Sequence, residues 1–115
     1  MAKITINSLK VRARIGIEPR ERKSAQEVVL NISFEYDVRQ AAKTDDIEQA
    51  VDYHSMAERI TDLLKRSRFN LLEKMASEVL KLVMADKRIW WASVTITKPH
   101  AIRQASGVSV TVASA

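Results

Sequence analysis

From Val28 to Val38 every even position is apolar, through Val28, Leu30, Ile32, Phe34, Tyr36 and Val38, while Asn31, Ser33, Glu35 and Asp37 between them are polar. A period of two over so long a run predicts a strand with one buried and one solvated face. Upstream, Ile4, Ile6, Leu9, Val11 and Ile15 change parity around Ser8, which predicts a first strand carrying a bulge or bend there. Gly16 and Pro19 then punctuate a loop. After Asp52 the period lengthens. Met56, Ile60, Leu63 and Leu64 share one helical face as far as Lys65, and Ser55 and Glu58 have the spacing of a capping box. Beyond a basic turn from Arg66 to Arg68, Leu72, Met75, Ala76, Val79, Leu80 and Val83 define a second helix from near Asn70 to about Ala85. The tail returns to period two. Trp90, Ala92, Val94 and Ile96 fall on one face and Trp91, Ser93, Thr95 and Thr97 on the other, and a last strand turns Val108, Val110 and Val112 inward.

The order strand, strand, helix, helix, strand, strand predicts an α+β fold, a four-stranded antiparallel sheet with both helices on one face. Such a sheet has two open edges that a small protein must blunt or pair, and self-assembly is one solution.

Composition narrows the classes. A chain of 115 residues, 46% hydrophobic, is one domain's worth, residues 1–115, with enough apolar surface for a modest core. The absence of cysteine removes disulfides, thiolate zinc sites and a cysteine nucleophile, and suits a reducing compartment. No apolar run approaches the ~18 residues of a membrane span, so a cytoplasmic protein with no membrane partner is expected. The net charge of +5 is dispersed over Lys10, Arg12 and Arg14, then Arg20, Arg22 and Lys23, then Lys65, Arg66 and Arg68. With only two each of Trp, Tyr and Phe, this reads as solvated faces and not as a nucleic-acid surface. A non-catalytic basic binding module is the alternative from another class.

Four residues at element boundaries carry candidate chemistry. Lys98 shares the parity of Trp90, Ala92, Val94 and Ile96, so its stem leaves the apolar face at a strand end. Desolvation there favours the neutral amine of a general base, whereas a lysine reaching into solvent is the plainer reading. Glu73 stands three residues after Asn70, either closing a capping box or free to bind a ligand. Tyr53 opens the first helix, where it either packs in the core or presents its hydroxyl. Glu21 lies in the loop after the first strand and, taken alone, is a surface carboxylate. Asp45 and Asp46 read as a structural turn. His54 and His100 lack partners at metal-ligand spacing, so no metal is expected.

Five strings join these residues: Gly16-Ile17-Glu18-Pro19-Arg20-Glu21-Arg22, Thr44-Asp45-Asp46, Val51-Asp52-Tyr53, Phe69-Asn70-Leu71-Leu72-Glu73 and Thr97-Lys98-Pro99-His100-Ala101. In this order and at this spacing the chain closely resembles the dihydroneopterin aldolase family of folate biosynthesis, over about residues 3 to 113. The resemblance implies the tunnelling fold, in which subunits join sheets into barrel rings and two rings stack as an octamer with active sites at subunit interfaces. It implies 7,8-dihydroneopterin as substrate, cleaved between C1′ and C2′ to 6-hydroxymethyl-7,8-dihydropterin and glycolaldehyde. The pterin's N5=C6 imine takes the electrons, so neither metal nor other cofactor is implied. By the same match Glu73, with Leu72 beside it, binds the pterin through its 2-amino group and N3–H. Lys98 is the base, Tyr53 protonates C1′ or orients the side chain, and Glu21 approaches the glycol hydroxyls and Lys98. A sister enzyme, dihydroneopterin triphosphate 2′-epimerase, keeps the same four residues. Arg103 resembles its pattern, whereas Glu21-Arg22 with Gln26, Val28 and Val29 resembles the aldolase. The aldolase is the expected activity, with epimerisation as the alternative.

Overall fold

The computed structural model describes residues 1–114. Its first two strands, β1 (Ala2–Ile15) and β2 (Gln26–Tyr36), pair antiparallel with Ala2 opposite Tyr36 and Ala13 opposite Gln26. Their register slips between Ile6 and Leu9, where Ser8 takes φ 53° and its amide donates to Asn31 Oδ1 at 2.9 Å. This is the bulge that the parity change predicts. The extra residue lets Ile4 and Ile6 on one side and Leu9 and Val11 on the other all turn toward the core.

The sheet has five strands, not four, in the order β3-β1-β2-β4-β5. The unforeseen one, β3 (Arg68–Phe69), runs parallel to the end of β1, with Ile15 opposite Phe69. Two residues carry no periodicity, so a strand this short hides inside what reads as a basic turn. Burial of Phe69 holds it in place. The remaining strands, β4 (Ile89–Lys98) and β5 (Val108–Ala113), extend the antiparallel sheet from β2.

A second correction concerns Trp90. Between β2 and β4 the register shifts so that Glu35 faces Trp91 but Tyr36 faces Ile89. The intervening residue flips the parity. Ile89 enters the core and Trp90 is 54% exposed, although strict alternation assigns Trp90 to the inner face.

Among the described residues there are four α-helices: α1 (Pro19–Lys23), α2 (Arg39–Thr44), α3 (Tyr53–Arg66) and α4 (Leu72–Met84). Both of the first two are short, α1 in the segment that reads as a loop and α2 in one to which the sequence assigns no element, and neither has a buried residue to leave a periodic signal. The two long helices pack on one face, α3 against β1 and α4 against β4 and β5. Met56, Ile60 and Leu64 of α3 and Leu72, Met75, Ala76, Val79 and Val83 of α4 meet the inner residues of the strands in one buried cluster. The opposite face is polar, with hydroxyl pairs between Thr95 and Thr111 and between Thr97 and Ser109, both 2.7 Å. Among the described residues no helix is long and apolar enough to cross a membrane.

Helix starts also differ from the capping boxes that spacing predicts. Asp52 caps α3, its Oδ1 accepting from the His54 and Ser55 amides at 3.0 and 3.2 Å, while the Ser55 hydroxyl donates to Asp52 Oδ2. Serine thus supports the cap instead of forming it. Asp52→Ala is expected to cost about 1 kcal/mol in urea unfolding and Asp52→Asn only a few tenths. A loss for Asn equal to that for Ala sinks the assignment. Before α4 the capping position is Leu71, with no side-chain hydrogen bond, so Asn70 and Glu73 do not form a box.

Candidate active site

Lys98 ends β4 opposite Val108, on the inner face in line with Val94 and Ile96. Its aliphatic stem is therefore shielded, as parity predicts, and its ammonium emerges at the sheet's margin. There Nζ donates to Glu21 Oε2 at 2.7 Å, with the two side chains only 13% and 22% exposed.

Glu21 reaches this position because Pro19 starts a one-turn helix immediately after the β1 exit. Its Oε1 accepts from the Glu18 amide at 3.3 Å. Gln26, the first residue of β2, donates through Nε2 to the Ile15 carbonyl at 2.8 Å and reaches Glu21 Oε2 at 3.5 Å. The hydrogen bond from Lys98 holds the Glu21 carboxyl below the usual glutamate range, against the opposing effect of partial burial, and the Glu18 amide adds to the lowering. A depressed glutamate stabilises the fold above its unfolded pKa. That contribution is lost as pH falls through the lower folded value.

Glu73 occupies the second position of α4 and is exposed. Since no capping box forms, both its oxygens remain available, and among the described residues no salt bridge engages them. Leu72 beside it is 6% exposed. Its side chain belongs to the core, which leaves its first-turn amide as the group able to face a ligand. The segment bearing Glu73 is tied to the Lys98–Glu21 pair through β3, because the Gly16 amide donates to the Phe69 carbonyl at 3.0 Å.

Tyr53 is the first residue of α3 and 52% exposed, with its ring 5.3 Å from that of His54. It is neither a core residue nor in hydrogen-bond contact with Lys98 or Glu21 within this chain. The structure thus joins Lys98 to Glu21 and leaves Tyr53 and Glu73 on the surface. Leu71, Ile17 and Ile102 are also large apolar side chains left exposed, and they belong to the segments that carry the site. Asp46 caps the 3₁₀ turn Ile47–Gln49 and Asp45 ends α2 in the left-handed region, the structural roles expected of that pair.

Beside the pair, a cavity of about 410 Å³ is bordered by Arg20, Glu21, Gln26 and His100. A neighbouring one of about 370 Å³ shares Arg20 and His100 and adds Ile102 and Arg103. Among the described residues no cluster of histidines and carboxylates has the makings of a metal site. Neither Gly16 nor Gln26 is assigned a role in the site by the sequence, since Gly16 reads as loop punctuation and Gln26 enters only as part of the aldolase-like pattern beside Glu21. The signal for Gly16 is the position of a glycine between a strand end and a Pro-initiated turn.

The fold is α+β, a sheet with two helices on one face and a lysine–glutamate pair at its margin, and comparison with known proteins supplies the family. The family model described as dihydroneopterin aldolase matches residues 4–113, and the chain belongs to that family. A dihydroneopterin triphosphate 2′-epimerase of Pseudomonas aeruginosa is 38% identical over 98% of this chain and 92% of its own. A dihydroneopterin aldolase of Escherichia coli K12 is 33% identical over 93% of this chain and 88% of its own. The crystal structure of E. coli dihydroneopterin aldolase in complex with neopterin superposes with a TM-score of 0.95 at 31% identity, covering 100% of both chains.

Proposed function

We propose that this protein cleaves 7,8-dihydroneopterin by a metal-independent retro-aldol reaction, with Lys98 moving the proton, Glu21 holding Lys98 and the glycol end, and Glu73 anchoring the pterin. The observation that carries this reading is the shielded 2.7 Å contact between Lys98 and Glu21.

The 2-amino group and N3–H of a pterin form a planar donor pair that complements a free carboxylate, the condition in which Glu73 stands. With the ring so held, Lys98 as the neutral amine takes the 2′-hydroxyl proton, directly or through one water, and the ammonium so formed is the species that donates to Glu21. The C1′–C2′ electron pair moves into the ring's N5=C6 imine and glycolaldehyde departs. Protonation of C1′, for which Tyr53 is the candidate donor, then yields 6-hydroxymethyl-7,8-dihydropterin. Tyr53 does not touch Lys98 within one chain. We therefore assign it to the site of a neighbouring copy, in a ring assembly that would also pair the open β5 edge and cover Leu71, Ile17 and Ile102.

Incubation of the purified protein with 7,8-dihydroneopterin and a chelator, followed by chromatography, is expected to yield 6-hydroxymethyl-7,8-dihydropterin and glycolaldehyde. An epimer as sole product overturns the aldolase assignment. Absence of turnover, with salt-sensitive nucleic-acid binding in its place, points to a binding module.

The second reading, epimerisation of the triphosphate, is favoured by the arginine-lined cavity and by the P. aeruginosa relative. Arg20, His100 and Arg103 border the space beyond Glu21, where a phosphorylated 3′ end would lie. On this reading Arg103→Ala lowers kcat/KM for the triphosphate by about tenfold, the worth of one charge-assisted hydrogen bond, and leaves the unphosphorylated substrate unchanged. Equal effects on the two substrates exclude a phosphate role.

A further inference from the structure

We propose that Gly16 is a positioning residue of the Lys98–Glu21 pair, its bare α-carbon reserving the space in which the Glu21 carboxylate lies against the lysine. The proposal deepens the functional reading above and rests on it for the activity measurements alone.

Gly16 leaves β1 at φ 131°, a conformation that residues with a β-carbon rarely adopt. A β-carbon built there would stand 2.3 Å from both Cδ and Oε1 of Glu21 and 2.7 Å from Oε2. These are the oxygens in use, since Oε1 accepts from the Glu18 amide and Oε2 from Lys98. Any side chain at position 16 therefore evicts the carboxylate from its place. What yields is the free end of a flexible side chain, so the fold can persist while the ion pair opens.

Gly16 cannot retreat from Glu21 instead. Its amide donates to the Phe69 carbonyl at 3.0 Å, continuing the parallel pairing of Ile15 with Phe69. Phe69 lies three residues before Leu72, where α4 begins, and the next residue is Glu73. One glycine thus sets the distance between the helix that bears the candidate pterin anchor and the pair that moves the proton. Positioning of this kind matters because a displacement of about 1 Å at a reacting group can cost a hundredfold in rate.

The test is a double-mutant cycle of wild type, Gly16→Ala, Glu21→Ala and the double variant. It has three readouts: kcat and KM for 7,8-dihydroneopterin, titration of the Glu21 side-chain carboxyl by ¹³C NMR, and the urea midpoint. Gly16→Ala is expected to lower kcat by the same factor as Glu21→Ala. The double variant should be no slower than either single one, within about the twofold scatter of uncoupled sites. The Glu21 carboxyl in Gly16→Ala should titrate nearer the ordinary glutamate range, because its partner is lost.

Losses of kcat that multiply in the double variant, or a Glu21 titration unmoved by Gly16→Ala, overturn the proposal. Gly16→Ala failing to fold while the double variant folds supports it, since removing the carboxylate then makes room. If neither folds, the requirement is the backbone angle and the proposal fails. If the wild-type protein turns over no pterin, the carboxyl titration still decides the positioning role, so failure of the functional reading is distinguishable from failure of this one.

Discussion

Lys98→Ala is expected to abolish cleavage of 7,8-dihydroneopterin while neopterin still binds. The variant removes the group proposed to accept the 2′-hydroxyl proton, and loss of a general base typically lowers kcat by roughly 10²–10⁴-fold. It does not remove the proposed pterin anchor, Glu73, which lies on α4. Neopterin affinity, followed by the ligand's own fluorescence, should therefore change only a few-fold. The fold should tolerate the change, because Glu21 is 22% exposed and water can replace the ammonium as its partner. Lys98→Arg is the stricter control. It restores the positive charge beside Glu21 but offers a guanidinium that stays protonated at any working pH, so charge alone should not rescue the rate. A kcat for Lys98→Ala within tenfold of wild type, or rescue by arginine, would show that the base lies elsewhere.

Glu73→Ala should have the complementary phenotype, a loss of pterin binding with little effect on stability. Two parallel hydrogen bonds to a carboxylate are each worth about 1.5–3 kcal/mol, so affinity should fall by at least roughly 10²-fold. Glu73→Gln should do nearly as badly, because the amide turns an NH₂ group toward a ligand that presents donors. The stability cost is limited to the helix-dipole contribution of an exposed first-turn carboxylate, about 0.3–1 kcal/mol. A neopterin Kd within threefold of wild type in Glu73→Ala would remove the anchor assignment, whatever the product assay returns.

How far these residues are legible without coordinates depends on the range of the forces that set them. The alternation along β2, the parity switch at Ser8 and the apolar faces of α3 and α4 are short-range patterns, and each appears where the sequence places it, except that β2 ends at Tyr36 and the last alternating residue, Val38, instead leads into α2. Trp90 fails because a single extra residue opposite Tyr36 inverts the register, and alternation carries no mark of where a strand bulges. The strand β3 fails for lack of length, and the helices α1 and α2 for lack of a buried stripe. At α3 two capping residues compete, and Asp52 prevails over Ser55 because its carboxylate reaches both first-turn amides. In the site, parity identifies the shielded stem of Lys98 but not the partner that meets it. That partner was legible only through resemblance to a family. The contributions of Gly16 and Gln26 are contacts among a strand end, a turn and the next strand, and local pattern marks at most the turn at Gly16, not what either residue touches.

The contact between Glu21 and Lys98 spans 77 positions of sequence. Its two halves leave the ribosome far apart in time, and the glutamate waits through both long helices for its lysine to be synthesised. Closing so long a loop carries an entropic cost that early local structure does not repay, so the pair belongs among the late events of folding. Enzymatic activity recovered during refolding is then a clock for the final step, and it should lag behind the helical signal that α3 and α4 produce on their own.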